Sequence, residues 1–137
     1  MDGLTFDTSA LIALEKRSRD IGKVVEGAVR TKTRITIPAG ALAEWWRGRS
    51  DLRDDILAMG IVQPLDAAIA KTAGEALAFI HRKGRGKRVD DKITIDATVM
   101  ATAALYGPTI YTGDFDDLAR FQDVFPMVRI LGLARRP

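Results

Sequence analysis

Four acids stand out by where they fall. Asp7 follows the apolar triplet Leu4, Thr5 and Phe6; Glu44 interrupts a run of apolar and small residues that begins at Ala39. Asp96 precedes a stretch, from Thr98 to Pro108, that carries no charge, and Asp114 follows "TIYTG". Each is a single carboxylate at the edge of a segment whose composition marks it for burial, where an uncompensated charge is expensive. Each also has an ordinary reading: Asp7 and the cluster "DFDDL" as helix caps, Asp96 as a partner for a helix dipole, Glu44 as a solvent-facing residue. Those readings leave the recurrence of one pattern on four elements unexplained. Four carboxylates that meet repel one another, and some must take up protons unless a cation intervenes. A hard divalent cation such as Mg²⁺ or Mn²⁺ prefers such oxygen ligands. A metal of this kind, with positions left open, suits phosphoester hydrolysis.

The elements that must position these acids alternate along the chain. Leu4–Phe6 reads as a strand, followed by helices from about Ser9 to Glu15 and Asp20 to Arg30. "RITIP" is a β-branched strand stopped by Pro38, which suits the first turn of the next helix, "AGALAEWWRG". "DLRDDILAM" is helical with Gly60 as its cap, and "IVQPL" is a weak strand. A long amphipathic helix, "DAAIAKTAGEALAFIHRK", is capped by Asp66; "TIDATVMATAALYG" is capped by Thr94 and ended by Gly107-Pro108. On this reading Asp96 sits in a first helical turn, where the dipole favours an anion. "TIYT", "DDLARF" and "MVRIL" complete the set as strand, helix and strand. Strands separated by helices imply an α/β fold: an open, mostly parallel sheet covered by helices on both faces. Ligands of such sheets bind beyond the carboxyl ends of the strands, where Asp7 and Asp114 are placed.

The totals agree with one soluble domain spanning residues 1–137. Hydrophobic residues make up 47% and charged residues 28%, enough for a core of ordinary size. No apolar run nears the roughly 20 residues that span a bilayer, so no membrane partner is expected. Cysteine is absent, which removes disulfides and thiolate metal sites and accords with a cytoplasmic setting. The net charge of +3 is mild. Its distribution is not: Arg82, Lys83, Arg85, Lys87, Arg88 and Lys92 crowd one glycine-bearing segment, suited to a solvated turn or to a phosphate backbone.

"FDTSALIAL", "AEWWRG", "TIDATVMATAA" and "YTGDFDDL", in this order, resemble the four acidic motifs of PIN-domain nucleases, and within them the VapC toxins of bacterial toxin–antitoxin modules. The resemblance runs from Thr5 to about Phe121. It implies a three-layer α/β/α fold of PIN type and cleavage of RNA dependent on Mg²⁺ or Mn²⁺. It also implies a homodimer and neutralisation by a VapB-type antitoxin. Asp7, Glu44, Asp96 and Asp114 match the family's catalytic, metal-binding quartet, and Asp116 matches an extra acid after the fourth motif. Thr8, Ser9 and Thr112 match hydroxyl positions that orient those carboxylates. Trp45 and Trp46 depart from the smaller residues expected after the glutamate and suit a core or an interface.

Other readings compete less well. An aspartyl-nucleophile phosphatase needs a second Asp where Ser9 stands, and a receiver domain needs paired acids where "DTS" stands. A PIN-like protein that binds RNA or a partner without cutting is the alternative of another class. His81, beside cations at a helix end, reads as structural.

Overall fold

The computed structural model describes residues 3–47, 51–83 and 91–133. Strand β1 (Leu4–Phe6) leads through Asp7 into helix α1 (Thr8–Glu15), and helix α2 (Arg19–Thr31) follows. Ile21 and Ala28, a helical repeat of seven, bury the inner face of α2. Its last carbonyls, Ala28 and Val29, accept from the N–H of Lys32, held in the left-handed region at φ 56°.

Strand β2 (Ile35–Pro38) turns directly into α3 (Ala39–Trp46). Pro38 is the last residue of the strand and occupies the cap position of the helix, one step earlier than the pattern implies. Lacking an N–H, it ends the ladder, and its extended ψ lets the helix begin at the next residue. Helix α4 (Asp51–Leu57), strand β3 (Ile61–Gln63) and helix α5 (Ala67–Lys83) come next. The Asp66 carboxylate caps α5 by accepting from the Ile69 N–H at 2.9 Å.

Helix α6 (Asp91–Tyr106) begins three residues before the expected cap. Thr94 is therefore an exposed residue within the helix, and Asp96 lies in its second turn rather than its first. Strand β4 (Thr109–Thr112), helix α7 (Phe115–Ala119) and strand β5 (Arg129–Gly132) complete the order.

All four strand pairings are parallel, in the order β3-β2-β1-β4-β5. Alternate side chains feed two cores. Phe6, Ile35 and Ile37 join Leu11, Ile21, Trp45 and Ile56 on one face, while Ile110 and Ile130 join Ile69, Met100 and Phe121 on the other. Helices α5 and α6 pack together over this second face. The result is a three-layer α/β/α sandwich. Gly107 is fixed by close approach: a Cβ there would lie 2.6 Å from both the Leu4 carbonyl and the Thr5 hydroxyl. Among the described residues, no helix is long and apolar enough to cross a membrane.

Candidate functional site

The chain builds its sheet outward from β1 through β2 to β3, then returns to lay β4 against the other side of β1. The reversal makes the β1–β4 seam a topological switch point, and in open parallel sheets ligands bind beyond the carboxyl edge at such a point. Asp7 and Asp114 stand at that edge, each in the first position after its strand or its turn.

Asp7 is buried, 7% exposed, and its carboxylate is held by neutral donors. Ser9 Oγ and the Ala10 N–H donate to Oδ1 at 2.6 and 3.0 Å, and Thr112 Oγ1 donates to Oδ2 at 2.5 Å. Both hydroxyls accept in turn from the β4–α7 corner, Ser9 from Gly113 N at 2.7 Å and Thr112 from Asp114 N at 2.8 Å. Each hydroxyl has one proton, and that proton is committed to Asp7. Asp7 therefore caps α1, as the ordinary reading has it, and also ties β1 to β4. Burial pushes its pKa up; the bonds from Ser9, Thr112 and Ala10 pull it back, and the charge of Asp114 adds to the rise. Among the described residues no cation comes within ion-pair distance of it.

Glu44, half-buried on α3, accepts from Thr8 Oγ1 at 2.8 Å, which ties α3 to the start of α1. Asp96, 6% exposed, is compensated differently. Lys92 Nζ lies 3.3 Å from its Oδ1 and Arg120 Nη2 3.1 Å from its Oδ2. Burial raises the Asp96 pKa against the pull of both cations. For Lys92, burial works downward, but Asp96, then Asp114 and Asp117, outweigh it and the net direction is up. Asp114 and Asp117 are half-buried and Asp116 is exposed on α7.

The four acids expected to converge do so only in part. Among the described residues, no three His, Cys, Asp or Glu side chains come together as a group that could hold a metal. At Asp96, cations rather than other acids take up both oxygens. The donor chemistry still fits a hard cation: oxygen ligands, oriented by hydroxyls, with Asp114 near enough for its charge to act on Asp7 and Asp7 keeping lone-pair capacity on Oδ2. Mg²⁺ needs only one or two carboxylates beside its waters, so the fit is to such a site and not to a cage of acids.

Several solved structures share this architecture. A chain of the DNA-bound VapBC structure from Salmonella typhimurium matches with a TM-score of 0.74 at 19% identity, over 96% of this chain and 98% of that one. VapBC2 from Rickettsia felis, bound to a promoter DNA fragment, gives 0.75 at 16%, with the same shares covered. FitAcB from Neisseria gonorrhoeae gives 0.67 at 17%, over 94% and 96%. The fold is PIN-like. At these identities the likeness speaks for the fold alone. No protein-family model and no curated protein matches the sequence.

Within the PIN-like frame, Arg120 is a residue that the sequence reading missed, and Lys92, read there only as part of the basic segment, pairs instead with Asp96. Lys92 stands four residues before Asp96, a helical pairing distance, and that signal was available. Arg120 reaches Asp96 from the end of α7, over the Phe121 ring at 5.7 Å, and only tertiary structure brings it there. Of the basic segment, Arg82 is exposed at the end of α5, and the Lys83 side chain with Arg85, Lys87 and Arg88 lies outside the described residues. Trp45 is core, 2% exposed, packed edge to face on Trp46. Trp46 lines an apolar groove of about 380 Å³ with Ala39, Leu42, Ala43 and Leu57.

Proposed function

We propose that the protein is a Mg²⁺- or Mn²⁺-dependent endoribonuclease toxin of a toxin–antitoxin module, hydrolysing RNA phosphodiester bonds at the pocket of Asp7, Glu44, Asp96 and Asp114. The observation that carries this reading is Asp7: a buried carboxylate at the sheet's switch point, oriented by Ser9, Ala10 and Thr112, with Asp114 beside it and no described cation against it. When bound, a divalent cation supplies a water of lowered pKa and positive charge beside the phosphate. The chain's own part is to hold and orient. Asp7 and Asp114 would ligate across the β1–β4 seam, with Asp96, Glu44 and the more exposed Asp116 completing the acidic wall. Ser9 and Thr112 keep Asp7 in one rotamer, and Thr8 does the same for Glu44. Arg82, Lys83, Arg85, Lys87 and Arg88 would follow the substrate backbone. An antitoxin of VapB type and a second copy of the chain are the proposed protein partners.

The test is cleavage of labelled total RNA by purified protein, in Mg²⁺ or Mn²⁺ against EDTA, with Asp7→Asn beside it after circular dichroism has verified its fold. Discrete fragments that need the metal and vanish in the variant support the reading. Fragments that persist in the variant expose a contaminant.

A second reading has its own observation. Both Asp96 oxygens are engaged by cations and no three acids form a metal-holding group among the described residues. That arrangement favours a PIN-like protein that binds RNA or a partner without cutting. RNA binding indifferent to EDTA, with no fragments under either metal, would decide for it.

A further inference from the structure

Lys92 is placed oddly for a solvated lysine. Its stem starts in the first turn of α6, yet its ammonium turns toward the acids: 3.3 Å from Asp96 Oδ1, 3.9 Å from Asp117 Oδ2, and within the field of Asp114. Three acids from two elements and a loop corner thus share one charge, half of whose side chain remains exposed to water. Arg120 closes the other side of Asp96 and is also part-exposed. The pocket is therefore neutralised from within, by cations on flexible stems that can leave without unpacking the core. A divalent ion seeking Asp96 meets an oxygen pair that is already occupied.

We propose that Lys92 is a tethered counter-ion of this pocket, holding the place of a divalent cation at Asp96, so that metal binding requires its displacement. The inference rests on the metal-site reading above and goes beyond it, because it assigns the weakness or strength of metal binding to one side chain. Removing the ammonium leaves Asp96 available to the metal while Arg120 keeps part of the compensation. Lys92 then governs how much free Mg²⁺ the site needs.

Mn²⁺ titration followed by electron paramagnetic resonance tests this on the full chain, with Lys92→Met, Lys92→Arg and Asp7→Asn compared. Lys92→Met should bind Mn²⁺ roughly three- to tenfold more tightly, the scale of a half-exposed ion pair acting against a doubly charged ion. Lys92→Arg should bind no more tightly than the unaltered chain. Thermal melts give a second readout: the Mn²⁺-induced rise in Tm should be larger for Lys92→Met, by mass action. Equal or weaker Mn²⁺ binding by Lys92→Met overturns the proposal, as does tightening by Lys92→Arg of the same size. Failure of the metal-site reading leaves a different trace, Mn²⁺ binding that ignores Asp7→Asn. Binding of Mn²⁺ by none of the chains overturns both.

Discussion

Asp7 and Asp96 are buried to the same degree, and the fold answers the two charges by opposite means. Around Asp7 stand neutral donors: a backbone N–H and two hydroxyls, the hydroxyls accepting in turn from the N–H groups of Gly113 and Asp114. Around Asp96 stand two cations. Neutral donors fix a carboxylate in space but leave its charge intact; ion pairs cancel the charge but, on long part-exposed stems, hold it loosely. The first arrangement suits an acid that must stay charged and aimed at an incoming cation. The second suits an acid whose charge can be exchanged between partners. Positioning and neutralisation are thus divided between two buried acids.

The largest effect expected from breaking this contrast is on chemistry. Asp7→Asn should lower metal-dependent RNA cleavage by at least about a hundredfold, since even groups that only support a metal ligand are worth roughly 10- to 100-fold. Rates on a defined RNA, wild type against variant, check it. Next comes stability. Thr112→Val keeps the shape but removes the donor to Asp7 and the acceptor for the Asp114 N–H, so it should cost about 1–3 kcal/mol in urea unfolding. Because the lost partner is neutral, the cost should be the same in low and high salt.

Lys92→Met should cost less, about 0.2–1 kcal/mol in EDTA, and that difference should shrink as salt screens the pair. A cost that survives high salt would place Lys92 in packing rather than in charge. The gentlest expected change is a slope with pH. Asp7 binds its proton more tightly folded than unfolded, because burial raises its pKa above 3.8. In EDTA its ionisation therefore lowers stability as pH climbs through and above the unfolded value, and the loss is complete once pH passes the folded value. Below that window, with both states protonated, the group contributes nothing. Asp7→Asn should flatten this part of the curve, and Mg²⁺ should do the same for the unaltered chain.

Much of the frame was legible in the sequence because it is written in local pattern. β-branched runs, the caps at Asp66 and Asp7, and Gly107-Pro108 at the end of α6 each depend on a few neighbours. The start of α6 was misjudged because "VDDK" is polar enough to pass for loop. The i, i+4 spacing of Lys92 and Asp96 is a local hint that the helix begins earlier. Strand order was not legible, since parallel pairing of β1 with β4 joins segments a hundred residues apart. Nor was the sharing of the acids between hydroxyls and cations. Residue types name Asp96 as a ligand candidate, but Arg120 arrives from another element and nothing local announces it.

The seam between β1 and β4 also orders events in time. As the chain leaves the ribosome, Asp7 can meet Ser9 and Ala10 within its own turn. Thr112, Gly113 and Asp114 follow 105 or more residues later. Until β4 has been made and docked, the first strand carries its acid with one of its three donors missing and without the neighbouring charge of Asp114. A nascent or truncated chain ending before β4 therefore holds most of the protein's mass and three of the four acids, but neither Thr112 to fix Asp7 nor Arg120 to pair with Asp96.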